Sequence, residues 1–496
     1  MGGRLRGRRS RARRPHTLRA AGARLACRPR PPLHLPRQPC RPARSRPGHP
    51  GSTGRGHRLQ HRRTAGFLRP SHPTPRRFRD MTTTASDTPA SASDLRNKLV
   101  DLLRDQNTVR TPAVDTALRG VPRHLFLPGV SLTEAYVNEA VYTKHDDSRG
   151  ASISAASQPA MVAMMLEQLH LRPGQRVLEL GAGTGYNAAL MAAIVGEAGH
   201  VTTIDVDEDL VDDAREHLNT AEITNVDVVL GDGALGHPEA APYDRVIATV
   251  GAFETPTPWL DQLAPHGRLV LPLRLAGAAS RSTIFERDQG GWSSSGSEMV
   301  VFMPLRGIAD DARRIIDLTG DGQVSLQAHQ DNDAATDPGA LAGVLDTPRH
   351  EVWTGVLFAP RVSFEWLDLW LACHLANPIM RMNVEPAAKH NGLVSPMFPT
   401  VAMATTTEDG SLAYLTIRRA ESTPEAGKLF EVGVIGHGPT GQRFAEHVGQ
   451  DISTWDTGFR ARSVRIAIPD TPPAADPDQG RFVLHRPHHP ITVTWE

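Results

Sequence analysis

Three closely spaced glycines follow a carboxylate in the stretch ELGAGTG at residues 179–185. Gly181, Gly183 and Gly185 occupy every second position, which allows the backbone to turn tightly and to approach a bound ligand. A second carboxylate, Asp205, ends the next apolar run, where its oxygens can accept hydrogen bonds from the hydroxyls of a ribose. These residue types in this order predict a binding site for a nucleotide-like ligand.

The spacing separates this loop from two common phosphate-binding loops. A dinucleotide fingerprint reads G-x-G-x-x-G, and a P-loop carries a lysine after its last glycine; the loop here has neither feature. Glu179, two residues before the first glycine, would repel a pyrophosphate but would suit a cationic ligand. The ammonium and sulfonium groups of S-adenosylmethionine meet that requirement. The alternative is a glycine turn in some other α/β protein.

Apolar runs predict the elements that hold these residues. Residues 177–180 are predicted to form a strand, 188–195 a helix and 201–204 a second strand, which makes one βαβ unit. Further strands are predicted at 226–230, 245–250, 268–273, 282–287 and 298–304, with helices at 208–219 and 256–263. Strands that alternate with helices predict an α/β fold, a doubly wound Rossmann-like parallel sheet that is covered on both faces.

Ligands of such sheets bind beyond the carboxyl ends of the strands. The residues at those ends are Glu179, Gly181, Asp205, Asp232 and residues 249–251. They are far apart in the sequence, but we expect them to converge on one cleft.

Start signals predict the helices that precede the unit. One helix is predicted from Asp94, which would be its N-cap, and another at 112–119. A third is predicted from Pro159, with Ser157 as its N-cap. Residues 141–154 are polar and show no clear period.

Residues from about 94 to 307 resemble protein-L-isoaspartate O-methyltransferases. The pieces that carry the resemblance stand in family order with family-like gaps. They are VPRHLFLP at 121–128, Ala135-Tyr136, ASQPAMVAMMLEQL at 156–169, RVLELGAGTGYNAAL at 176–190, GDGALG at 231–236, APYDRVIATVGA at 241–252, QLAPHGRLVLPL at 262–273 and VFMPL at 301–305.

The resemblance implies a class I methyltransferase fold and S-adenosylmethionine as the cofactor. The residues implied to surround its methionine part are Glu179, Gly181 and Gly183, and Ala182 and Gly185 belong to the same cofactor-binding loop. Asp205 is implied at the ribose with Val206 beside it, and Asp232 and Gly233 near the adenine.

The resemblance also implies a position for Ser157 beside the transferring methyl group and the substrate carboxylate. Relatives usually have Ile-Ser followed directly by Pro or Gln-Pro, whereas this chain offers both Ser154 and Ser157. We prefer Ser157, which adjoins Gln158-Pro159, and keep Ser154 as the alternative. A carboxylate is already ionised near neutral pH, so the serine would orient it and no general base is needed.

The formal net charge of +1 hides a strong asymmetry. Residues 1–80 hold 23 arginines and one acidic residue, whereas the rest of the chain holds 32 basic and 53 acidic residues. We predict a disordered tail at 1–93, because it has too few aliphatic residues to form a core. A nucleic-acid-binding tail and a transit peptide are alternatives. The start that we favour is Met81, where the composition changes abruptly.

Cysteine usage and hydropathy argue against a disulfide-rich protein and against a membrane-spanning one. The three cysteines, two of them in the tail, leave no disulfide framework and no cysteine metal site elsewhere, which is typical of the cytoplasm. No apolar run reaches the roughly 18 residues of a transmembrane helix. The acidic composition of the chain after the tail argues against a nucleic-acid partner, and we expect no membrane partner. A protein or peptide substrate is what the family resemblance implies.

The predicted organisation is a methyltransferase domain at 94–307, a linker at 308–350 and an α+β accessory domain at 351–496. Strands are predicted at 400–404, 412–418, 428–434, 463–468 and 491–495, with helices at 364–376 and 439–449. Five of the seven tryptophans fall in the accessory part. We expect these aromatic residues to fill its core, and anchoring of a peptide substrate is the alternative.

The extension resembles C-terminally extended relatives that accompany ribosomal peptide natural products of the FxLD, lanthipeptide or graspetide type. The expected function is methylation of aspartyl or isoaspartyl carboxylates in proteins or peptides. A methyltransferase dedicated to one aspartate of a precursor peptide is the alternative, which would give succinimide or isoaspartate. A cofactor-binding protein without catalysis is a third hypothesis.

Overall fold

The computed structural model describes residues 90–146, 151–303, 305–306, 313–420 and 427–496. These residues belong to one compact unit. The predicted tail at 1–93 falls almost wholly outside the described residues, and so does the proposed start at Met81.

Eleven α-helices occur in the described ranges. They are α1 (Ala92–Asp105), α2 (Pro112–Gly120), α3 (Leu132–Ala135), α4 (Pro159–Leu169), α5 (Tyr186–Val195), α6 (Glu208–Thr220), α7 (Thr257–Asp261), α8 (Pro338–Leu341), α9 (Glu365–His374), α10 (Pro386–His390) and α11 (Gly441–Gly458). No helix in the described ranges is both long and apolar enough to cross a membrane.

The described residues form nineteen strands. They are β1 (Val141–Asp146), β2 (Ala151–Ala156), β3 (Arg176–Leu180), β4 (His200–Asp205), β5 (Val226–Leu230), β6 (Tyr243–Ala248), β7 (Leu263–Ala276), β8 (Ala279–Asp288), β9 (Gly291–Met299), β10 (Arg314–Asp317), β11 (Val324–Ala328), β12 (His350–Phe358), β13 (Met380–Val384), β14 (Val401–Thr406), β15 (Leu412–Arg419), β16 (Phe430–His437), β17 (Val464–Pro469), β18 (Arg481–Leu484) and β19 (Ile491–Trp495).

The larger sheet has ten strands in the order β18-β19-β17-β9-β8-β7-β6-β3-β4-β5. Strands β5, β4, β3, β6 and β7 are parallel neighbours, and each remaining pair is antiparallel. Helices α5, α6 and α7 lie in the connections between parallel strands, because a crossover must return the chain to the same end of the sheet. The α/β Rossmann-like fold predicted from the sequence is confirmed.

The smaller sheet has seven antiparallel strands in the order β10-β11-β13-β14-β15-β16-β12. One hydrophobic cluster joins it to the larger sheet and includes Leu178 on β3, Leu271 on β7, Trp370 on α9, Val434 on β16 and Trp495 on β19. Helices α9 and α11 supply side chains to this shared core. The buried tryptophans therefore confirm that aromatic residues of the extension fill its core.

The opposite face of the larger sheet has a second cluster, built with α1, α2, α4 and α5. Helix α5 is buried nearly all round, with Ala188, Leu190 and Met191 inaccessible to solvent. This burial fixes the glycine loop that precedes the helix against the ends of β3 and β4.

Two predicted helix caps are wrong. Helix α1 starts one turn earlier than predicted, with Ser91 as its N-cap and Asp94 as the third residue of a capping box, in which each side chain bonds the other residue's backbone. Gln158 is the N-cap of α4 and makes no side-chain capping bond, so Ser157 lies just outside the helix.

Two predictions about strands also differ from the structure. The strand predicted at 298–304 is wrong, because the turn at Gly290-Gly291 starts β9 earlier and the strand ends at Met299. Residues 141–146 and 151–156 form the antiparallel pair β1–β2, here called the hairpin, which the sequence did not indicate. Its irregular register breaks the alternation that marks a regular strand.

The predicted division at 307 and 351 stays a prediction. Strands β10 and β11 lie within the stretch predicted to be a linker and pair in the smaller sheet. Strand β17, in the predicted accessory domain, pairs with β9 of the predicted methyltransferase domain. Sheet pairing therefore crosses the predicted boundaries.

Candidate active site

A cavity of about 270 Å³ lies beyond the carboxyl ends of β3, β4 and β6. The predicted site residues on its lining are Ser154, Ser157, Glu179, Gly181, Ala182, Gly183, Asp205, Val206 and Gly233. Gly185 and Asp232 are outside this lining. Residues from distant parts of the sequence therefore converge on one cleft, as the strand order requires.

All three glycines of the loop have a positive φ, which strains any other residue, and a Cβ on two of them would also lie close to a neighbour. Gly181 has φ +106°, and a Cβ there would lie 2.8 Å from Oγ1 of Thr249. Gly185 has φ +82°, and its Cβ would lie 3.3 Å from the carbonyl oxygen of Ala214. Gly185 therefore allows α5 to pack against α6 and does not itself reach the cavity.

The carboxyl group of Glu179 is buried at the floor of the cavity. Thr203 Oγ1 donates to its Oε2 at 2.7 Å, and Asn187 Nδ2 donates to its Oε1 at 2.8 Å. Burial raises the pKa of Glu179 to about 7, although both hydrogen bonds act in the opposite direction. A cation in the cavity would favour the ionised form of this carboxyl group.

Asp205 is the second carboxylate of the cavity and is 8% exposed. Its Oδ2 accepts from the Gly183 amide at 3.0 Å, and its Oδ1 accepts from the Val206 amide at 2.9 Å. A carboxylate has about four acceptor positions, so further donors can still bind. Asp205 thus connects the glycine loop to β4 through hydrogen bonds, and its carboxylate can accept further hydrogen bonds from a ligand in the cavity.

The two candidate serines differ in what their hydroxyl groups contact. Arg123, 1% exposed, donates through Nη2 to the carbonyl oxygens of Ala156 and Ser157 at 3.3 and 3.0 Å. The Ser154 hydroxyl accepts from Thr143 Oγ1 at 3.1 Å across the hairpin. The Ser154 hydroxyl thus already has a hydrogen bond within the protein. Arg123 contacts Ser157 only through the backbone carbonyl oxygen, so this contact does not use the Ser157 hydroxyl.

The loop after β5 is held by hydrogen bonds from within the protein. Trp259 is fully buried, and its indole Nε1 donates to the carbonyl oxygen of Gly233 at 2.8 Å. Asp232 accepts from the Ala234 amide at 2.9 Å. Asp232 therefore shapes this turn, and Gly233 is the residue of the pair that borders the cavity.

The sequence analysis missed two basic residues that form ion pairs next to the cavity, of which Arg306 also lines it. Lys144 on β1 reaches Asp207 and Asp209 at 3.2 and 2.6 Å, which fixes the hairpin to the start of α6. Arg306 lies 2.8 Å from Asp207 and 3.8 Å from Asp205. No local pattern marks these contacts, because each joins residues that are far apart in sequence.

Thr203 could have been found from the sequence. It is the register partner of Glu179 in the parallel pair of β3 and β4. A hydroxyl that lies in register with a buried carboxyl group on the neighbouring strand is a signal for a hydrogen bond. Among the described residues, no group of three or more His, Cys, Asp or Glu side chains could hold a metal ion.

We expect the Glu179→Gln variant to lose a pH dependence of stability. The folded pKa of about 7 lies above the value of 4.5 without burial, so the folded protein binds more protons between these values. The free energy of unfolding that this group contributes is therefore highest at low pH, and it falls as the pH rises toward 7. Unfolding in urea at pH 5 and pH 8 should show the variant gaining stability relative to the wild type at pH 8.

The matched control is the exposed Glu208→Gln on α6, which should follow the wild type at both pH values. A free energy of unfolding that changes between pH 5 and pH 8 by the same amount in the wild type and in Glu179→Gln would contradict the raised pKa of Glu179.

Comparison with known proteins agrees with this geometry. The family model described as protein-L-isoaspartate(D-aspartate) O-methyltransferase matches residues 94–309. Protein-L-isoaspartate O-methyltransferase 2 of Archaeoglobus fulgidus is 40% identical over 219 residues, which cover 43% of this chain and 93% of that protein. The protein-L-isoaspartate O-methyltransferase of Methanoregula boonei is 39% identical over 221 residues, which cover 44% of this chain and 96% of that protein.

Two solved structures are similar to this chain at a lower sequence identity. One protein-L-isoaspartate O-methyltransferase gives a TM-score of 0.42 at 21% identity and covers 75% of this chain and 96% of its own. A putative one from Plasmodium falciparum, in complex with S-adenosyl-L-homocysteine, gives 0.37 at 20% identity and covers 42% and 98%. Because both scores are below 0.5, the assignment rests on the sequence relatives. Their identity and coverage show that this chain belongs to the protein-L-isoaspartate(D-aspartate) O-methyltransferase family.

Proposed function

We propose that this chain is an S-adenosylmethionine-dependent carboxyl O-methyltransferase that methylates isoaspartyl carboxylates in proteins or peptides. The observation that carries the proposal is the convergence of Glu179, Asp205 and Ser157 on one cavity in a chain of this family. The two relatives described above are named for this activity, and they align with this chain over almost their whole length.

The donor set of the cavity fits S-adenosylmethionine. The spare acceptor positions of Asp205 suit ribose hydroxyls, which are paired donors. The buried carboxyl of Glu179 suits the positive charge of the methionine part, since an opposite charge stabilises its ionised form. The open space beside Gly183, where a Cβ would meet nothing within 4 Å, leaves room for the ligand against the loop.

When bound, the cofactor supplies a methyl group that a carboxylate oxygen can attack directly. The substrate carboxylate is already ionised near neutral pH, so the protein needs to orient it and to exclude water. In our proposal the Ser157 hydroxyl donates a hydrogen bond to that carboxylate. Arg123 then acts as a positioning residue, because it holds the Ser157 carbonyl oxygen.

A dedicated precursor peptide is the second candidate substrate. Its support is that residues 310–496 lie beyond the family match yet share a hydrophobic core with the larger sheet. On this hypothesis the chain serves ribosomal peptide natural-product biosynthesis. The backbone nitrogen after the methylated aspartate attacks the ester, and methanol leaves to give a succinimide. Cytoplasmic location and the absence of nucleic-acid and membrane partners stay predictions.

Transfer of labelled methyl groups to matched peptides tests the proposed function. We expect the full chain to label an isoaspartyl peptide and to leave its aspartyl twin unlabelled. Labelling of the aspartyl twin instead would favour the dedicated-precursor hypothesis. Failure to label either peptide, with S-adenosylmethionine still bound in calorimetry, would count against isoaspartyl methylation.

Asp205→Ala should weaken S-adenosylmethionine binding about ten- to a hundredfold, because hydrogen bonds to a charged group contribute about 1.5–3 kcal/mol. Isothermal titration calorimetry measures the affinity, and circular dichroism checks that the loop variant still folds. The control is Asp212→Ala on the exposed face of α6, which should bind as the wild type does. Unchanged affinity in Asp205→Ala would refute the ribose contact.

Ser157→Ala should lower kcat about 10²-fold, as loss of one positioned donor does in other enzymes, with little change in cofactor affinity. Ser154→Ala is the matched variant in the same cavity and should have the smaller effect on turnover. Equal losses of turnover and cofactor affinity in Ser157→Ala would indicate a structural role only. A larger loss of turnover in Ser154→Ala would transfer the role to that residue.

A further inference from the structure

A second cavity, of about 760 Å³, lies between the two sheets. Its walls come from both sheets and include Arg281 on β8, Met299 on β9 and Met403 on β14. Val301 and Phe302 line this cavity and also the candidate active site. The two cavities are therefore neighbours that share one short segment of wall.

The wall of the second cavity is rich in aromatic side chains. Phe358 and Phe364 stack at 4.2 Å between ring centroids, and Phe398 meets Phe364 edge-on at 5.9 Å. Phe398 is 42% exposed and Val362 is 46% exposed, so apolar surface continues to the mouth. Aromatic walls of this kind bind apolar side chains well.

Exposed positive charge lines part of the second cavity. Arg361 and Arg381 line the cavity, and both are exposed. Within the described residues neither forms an ion pair with a carboxylate, whereas the deeper Arg281 is paired with Glu365 at 2.9 Å. The two outer guanidinium groups can therefore pair with carboxylates of a ligand.

A polar group also faces the interior. Asp368 on α9 lines the cavity, and its Oδ1 is buried without a hydrogen-bond partner among the described residues. Burial, with a smaller effect of Glu365, raises the pKa of Asp368 to about 7. Near neutral pH this carboxyl group is therefore often protonated and can donate to a carbonyl oxygen.

We propose that the second cavity binds a segment of the polypeptide substrate that is acidic and carries aromatic or aliphatic side chains. This segment is continuous with the residue whose carboxylate enters the neighbouring cavity. Phenylalanine side chains hold its apolar groups, Arg361 and Arg381 pair with its carboxylates, and Asp368 bonds its backbone. The inference rests on the proposed function, because it assumes a polypeptide substrate.

The size and position of the cavity support this occupant. Its volume lies within the range of about 300–1,000 Å³ that binding pockets usually have. An extended chain advances about 3.3 Å per residue, so a few residues suffice to pass from one cavity into its neighbour. The proposal thus gives the extension a role in choosing the substrate.

The test uses the full chain and three fluorescein-labelled isoaspartyl peptides. One is a tetrapeptide, one adds Glu, Phe and Leu residues on both sides of the isoaspartate, and one of equal length has Lys and Ser in their place. Fluorescence anisotropy measures binding, and methyl transfer measures KM and kcat. We expect the acidic apolar peptide to bind about tenfold more tightly than the basic one.

The variants are the double charge reversal Arg361→Glu with Arg381→Glu and the control Arg443→Glu, an exposed arginine of α11 outside both cavities. The double variant should lose the preference for the acidic peptide, while kcat and KM for the tetrapeptide stay unchanged. The control should keep the preference.

Equal binding of the two longer peptides, or an unchanged preference in the double variant, would overturn the proposal. Because binding is measured without turnover, this result is obtained even if no peptide is methylated. Absence of methylation alone would count against the proposed function and not against the peptide site.

Discussion

The buried carboxyl group of Glu179 determines the geometry on which the cavity depends. It lies on β3, the middle one of the five parallel strands. Its two oxygens accept hydrogen bonds from the neighbouring strand and from the helix after the glycine loop. A carboxyl group without such partners would be too costly to bury. The loop must therefore turn between Glu179 and Asn187, and the glycines make this turn possible.

A second buried charge joins the N-terminal helices to the same cavity. Arg123 donates to the carbonyl oxygens of Ala135, Ala156 and Ser157, and its guanidinium lies 5.1 Å from the ring centroid of Tyr186 at the start of α5. Three pieces that carry the family resemblance thus meet at one side chain.

Local signals predicted the parallel half of the larger sheet and most of the cavity. The runs of β3, β4 and β5 and the glycines between them depend on neighbours in sequence, so their period identified them. The hairpin β1–β2 could not be predicted, because it is stabilised by Lys144 pairing with α6. The second cavity also escaped prediction, since its walls come from strands that meet only in the folded chain.

The pairing of β9 with β17 makes the order of synthesis matter. Arg287, at the end of β8, pairs with Asp470, which lies 183 residues further along the chain. A nascent chain that has completed the cofactor loop still lacks the strand that covers β9. That open edge could pair with other chains, and long-range pairing of this kind is slow. The edge of β9 therefore stays open during synthesis until the residues of β17 have left the ribosome.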